Sequence, residues 1–75
     1  MVIMTDQKKK DLQLAASAIE QLYHTISDAV VSVTPDDDRE ILVVRIEGAI
    51  YRVNVECENV KAMVQQVVNA TILKI

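Results

Sequence analysis

The densest group of chemically capable side chains is Asp36, Asp37 and Asp38, with Glu40 just beyond them. Hard cations favour clustered carboxylates, but the calcium-loop pattern, with its internal glycine and terminal glutamate, is absent here. The run Pro35-Asp36-Asp37-Asp38 is therefore predicted as a turn whose carboxylates accept local backbone N–H groups. An acidic patch that steers a basic partner is its second use. Paired carboxylates for sugar chemistry can be drawn among Asp38, Glu40, Glu47 and Glu56, but no spacing fixes their separation.

The other reactive residues are solitary. The chain holds one histidine, His24, and one cysteine, Cys57, whereas a structural zinc site usually takes four protein ligands. Glu56 and Glu58 flank Cys57 and disfavour a thiolate, so this residue is expected to be a small buried hydrophobe. His24 is expected on the surface of a helix. The single glycine, Gly48, belongs to a hairpin, which leaves none for a phosphate-binding loop. These observations predict no catalytic residues, no cofactor and no metal.

Two arginines carry the remaining chemistry, and a hairpin positions them. Residues 41–56, ILVVRIEGAIYRVNVE, fold back around Glu47-Gly48, where glycine supplies the positive φ of a primed turn. This register sets Ile46 opposite Ala49, Val44 opposite Tyr51 and Leu42 opposite Val53 on one apolar face. The other face pairs Arg45 with Ile50, Val43 with Arg52 and Ile41 with Asn54, so aliphatic and polar groups alternate on it.

The flanking elements follow from periodicity. Leu12, Ala15, Ala16, Ile19, Leu22, Tyr23, Ile26 and Val30 recur at helical spacing and predict a helix over residues 6–29, capped by Thr5 or Asp6. Lys8, Lys9 and Lys10 oppose the dipole at that end and suggest a solvated tail, with residues 1–8 poorly ordered. The β-branched run from Val30 to Thr34 predicts a first strand, with Val31 opposite Leu42 if the following turn occupies residues 35–38. Val60, Met63, Val64, Val67 and Val68 predict a second helix capped by Asn59, with Asn69 as its stop signal. The tail Thr71-Ile72-Leu73-Lys74-Ile75 is expected to form a fourth strand or an apolar arm, within the chain or against a neighbour, with continuation of the helix as the less favoured course. Residues 1–75 thus make one α+β domain, a two-layer sandwich of order α-β-β-β-α, its helices on one face of an antiparallel sheet of three strands, or of four where the C-terminal segment adds a short one.

Composition narrows the function classes. The chain has 75 residues, 51% apolar, with two tyrosines as its only aromatics and a net charge of −3. A domain of this size has a thin interior, so part of so aliphatic a surface is expected to be covered by another subunit. The acidic balance weighs against wrapping on a phosphate backbone. No secretory leader or membrane span is apparent, and one cysteine fits a reducing compartment, so a cytoplasmic location is expected.

The favoured function is a small non-catalytic interaction protein or accessory subunit, forming a homo-oligomer, most simply a homodimer. Its interface is expected to use Ile41, Val43, Arg45, Ile50, Arg52 and Asn54 on the second sheet face, or Ile72 and Ile75 in the C-terminal strand. The alternative is a nucleic-acid-binding regulator using Arg45, Arg52, Lys61 and Lys74.

Overall fold

Leu12, Ala15, Ala16, Ile19 and Tyr23 recur at three- and four-residue steps, and all five are buried along one side of the first helix, α1 (Asp6–Ile26). The structure, a computed structural model, describes residues 6–36, 39–55 and 59–75. The helix ends at Ile26 rather than Ala29, because Ser27 Oγ accepts the Ala29 N–H at 3.1 Å and offers the backbone a local alternative to helix. Leu22 stands at the margin of the buried stripe, while Ile26 is 53% and Val30 74% exposed, so these three residues do not join the core as expected. Lys8, Lys9 and Lys10 are helical rather than part of a tail, and Lys8 Nζ lies 3.4 Å from Glu40. The proposed cap Thr5 falls outside the described residues.

Strand β1 (Val31–Pro35) runs antiparallel to β2 (Ile41–Ile46), which pairs in turn with β3 (Ala49–Asn54), giving a three-stranded sheet in the order β1-β2-β3. The β2–β3 register is the expected one, with Val44 opposite Tyr51 and Leu42 opposite Val53. Glu47 and Gly48 have φ of 51° and 87°, so both central residues of the turn are left-handed, as a type I′ reversal requires. Glu47 is held there from both sides. Its N–H donates to the Val30 carbonyl at 2.9 Å, and its carboxylate accepts the Val30 N–H at 3.1 Å.

The β1–β2 register differs from expectation: Val31 faces Ile46, and Leu42 faces Pro35. Pro35 lies inside the strand, and the Asp36 N–H donates to the Ile41 carbonyl at 3.0 Å, so the pairing with β2 extends past Pro35 to Asp36. Because Asp36 and Ile41 form a hydrogen-bonded pair, the neighbouring Pro35–Leu42 pair is non-bonded, and the missing proline N–H costs the ladder nothing. The shift is an even number of residues, so Val31 keeps its place on the apolar face. Asp37, Asp38, Glu56, Cys57 and Glu58 lie outside the described residues, and with them most of the acidic turn and the cysteine.

The second helix, α2 (Val60–Thr71), starts as expected, with the Asn59 side chain accepting the Ala62 N–H at 2.8 Å. Asn69 does not stop it. The helix continues to Thr71 and tightens into a 3₁₀ turn, Ile72–Lys74, so the less favoured course, helical continuation, is the one taken, and the sheet has three strands rather than four. A tertiary contact explains the continuation. The Thr71 hydroxyl donates to the Val67 carbonyl at 2.8 Å and sits against the Tyr23 hydroxyl, with both residues buried. Since the threonine proton is committed to Val67, Tyr23 is the donor to Thr71 Oγ1.

Both helices cover the same face of the sheet. Their apolar sides meet Val31, Val33, Leu42, Val44, Ile46 and Val55 in one cluster, with Met63 and Val67 supplied by α2. Tyr51 and Val53, expected inside, are only half-buried, because β3 is an edge strand with no neighbour on its outer side among the described residues. The fold is therefore an α+β two-layer arrangement of order α-β-β-β-α.

Two substitutions check this account. Gly48→Ala meets no steric obstacle but retains a φ of 87°, so it should cost about 1 kcal/mol in urea unfolding. Thr71→Val strands the buried Tyr23 donor and should cost about 2 kcal/mol, more than Tyr23→Phe, which leaves only an acceptor unpaired; the double variant should recover part of the loss.

Candidate interaction surface

The sheet face away from the helices is open, and its residues form cross-strand rows. Ser32, Arg45 and Ile50 make one row, and Thr34, Val43 and Arg52 make the next. Ile41 faces Asn54, with Asp36 bonded to Ile41 from the other side. Ile41 and Val43 are half-buried by their neighbours, whereas Ile50 is 54% exposed. Arg45 and Arg52 are exposed and occupy adjacent rows, diagonal to one another around Val43 and Ile50. The surface is a short aliphatic diagonal with two guanidinium groups beside it. It offers hydrophobic contact and bidentate pairing to carboxylates.

The structure brings six of the eight expected interface residues onto this one face: Ile41, Val43, Arg45, Ile50, Arg52 and Asn54. Ile72 and Ile75 are elsewhere, partly buried and packed against the chain's own core. The four residues of the nucleic-acid alternative are likewise divided. Arg45 and Arg52 share the open face, but Lys61 belongs to α2, and Lys74 Nζ lies 5.8 Å from the Tyr51 ring centroid on the helical side of the sheet. Such a split leaves two of these four cations on the open face.

No family model, curated protein or solved structure matches this chain. Its surfaces must be read from their own chemistry. Among the described residues no group of three or more His, Cys, Asp or Glu side chains could hold a metal ion, and no helix is long and apolar enough to cross a membrane.

The outer edge of β1 carries a feature that sequence reasoning missed. Asp36 and Val30 bond to β2, so the alternate residues Val31, Val33 and Pro35 direct their backbone groups outward. α1 covers them. His24 Nε2 lies 3.0 Å from the Val31 carbonyl and, facing an acceptor, must carry the proton, while Glu20 accepts the Val33 N–H in a long contact of 3.4 Å. Pro35 has no N–H to offer. A histidine and a glutamate one helical turn apart signal nothing by themselves, because their use depends on how α1 lies beside the strand.

Removing both caps in Glu20→Ala/His24→Ala should expose this edge. Light scattering at high protein concentration should report faster aggregation than wild type, with the melting temperature lowered by no more than about 5 °C.

Proposed function

We propose that this chain is a small non-catalytic protein-interaction domain, an accessory subunit that uses the open face of its sheet to hold an acidic, partly aliphatic surface of another protein. The observation that carries this reading is the placement of Ile41, Val43 and Ile50 beside Arg45 and Arg52 on a face the chain's own helices do not cover. The aliphatic groups gain from leaving water, and the arginines supply orientation and discrimination through carboxylate pairing. Charge complementarity favours an acidic partner surface, since both ionic groups in the centre of the face are cationic.

Nucleic acid competes for the same two arginines. Phosphate binding must weaken steeply as salt rises, and two cations on a chain of net charge −3 provide little counterion release. A protein partner makes use of the intervening aliphatic residues as well.

The test is co-purification from native extract, comparing wild type with Val43→Lys/Ile50→Lys, followed by stoichiometry and a salt titration of the complex. The variant should keep its helical circular dichroism and lose a stoichiometric protein partner, with affinity reduced by about tenfold or more. Retention of the same partner by the folded variant would refute the reading. Saturable binding of random-sequence DNA or RNA by wild type at low salt, lost in Arg45→Glu/Arg52→Glu, would replace it with the nucleic-acid one.

A further inference from the structure

The two edges of the sheet are treated differently. β1 is blocked by His24, Glu20 and Pro35. At the other edge, Val55 donates to Glu40 at 2.9 Å, and the two-residue turn makes Ile46 and Ala49 a bonded pair, so Ala49, Tyr51 and Val53 spend their backbone groups on β2. Ile50, Arg52 and Asn54 therefore turn their N–H and C=O groups outward. Among the described residues, nothing bonds these groups. On the helical side of the same strand, Ala49 is exposed and Tyr51 and Val53 are half-buried, so the apolar layer continues to the edge.

We propose that the β3 edge is the site at which a second copy of this chain joins, by antiparallel β3–β3 pairing about Tyr51, to give a continuous six-stranded sheet. Self-complementarity selects this occupant and this register. With the two-fold axis at Tyr51, Ile50 exchanges backbone hydrogen bonds with Arg52 of the other copy, and Ala49 faces Val53. Tyr51 meets its own symmetry mate in a closely spaced non-bonded pair. Every strand pair on the helical side is then apolar, and within the paired strands no like charges stand opposite one another. Moving the axis to Arg52 would oppose two guanidinium groups directly and set Ile50 against Asn54.

The consequence reaches the open face. An axis perpendicular to the sheet keeps both helical layers on one side and joins the two open faces on the other, so a dimer presents Arg45 and Arg52 in duplicate. Pairing at the edge uses the backbone of β3 and leaves the open face free for its own partner.

The test begins with sedimentation equilibrium of the full chain from about 1 μM to about 1 mM, where wild type should pass from monomer to dimer. A synthetic chain N-methylated at the Arg52 amide keeps every side chain but loses one outward donor. Its dimer dissociation constant should rise by about tenfold or more, whereas Val43→Lys, which alters only the open face, should leave it within about threefold. In a Cys57→Ser background, Tyr51→Cys should form an oxidised dimer readily, and Val43→Cys should not. If the methylated chain fails to fold, amide exchange of wild type decides: protection at Ile50 and Arg52 must rise with protein concentration. A monomer throughout the range, protection independent of concentration, or a dimer insensitive to methylation and dissolved by Val43→Lys would overturn the proposal.

Discussion

A two-residue reversal with both residues at positive φ leaves β2 and β3 a single way to pair, and the alternation of side chains along a strand then decides the fate of every residue from Ile41 to Asn54. Leu42, Val44 and Ile46 go to the helices, while Ile41, Val43 and Arg45 go to the open face. A slip of one residue would invert the two sets. It would bury Arg45 and place Val44 in water. Glu47 occupies a conformation that glycine or asparagine accepts more easily, and its two hydrogen bonds with Val30 offset that strain. They also tie β1 to the hairpin at the turn, so one reversal sets the frame for all three strands.

The helical layer is organised around a polar contact in an otherwise aliphatic interior. Tyr23 is the largest fully buried side chain, and its hydroxyl would be a costly orphan without Thr71. Thr71 can serve only if α2 runs past Asn69, so the need to satisfy one phenol on α1 accounts for the length of α2 and for the 3₁₀ turn after it. Ile72 and Ile75 are then drawn against the core rather than released as an arm. A buried Tyr–Thr pair also fixes the relative position of the helix ends, which interchangeable valines and leucines would leave less specific.

These cases show which parts of the fold are legible in the sequence. The order of elements, the α1 stripe, the Asn59 cap and the β2–β3 register are local patterns, and each can be derived from spacing or turn chemistry. The reversal between β1 and β2 could not be placed, because Pro35 signals a turn locally but is tolerated on an edge strand in a non-bonded pair. The C-terminal segment has β-branched residues and a plausible stop at Asn69, and only a contact with Tyr23, 48 positions away, overrides them. The open-face residues were legible through parity alone, which survives an even register error. The His24 and Glu20 caps were not, since they depend on the lateral placement of α1.

Among the described residues, two of the sheet's four boundaries are closed: α1 and α2 cover one face, and α1 side chains with Pro35 close one edge. The open face tolerates water because its aliphatic residues are interleaved with arginine, serine and threonine. The free edge has no such compromise, since backbone donors and acceptors are the same for every sequence and are satisfied best by another strand. Protecting β1 while leaving β3 unprotected restricts strand addition to one side. An assembly built through that side would close after two copies, because each protomer would present its blocked edge outward, and such a sheet could not grow into a fibre.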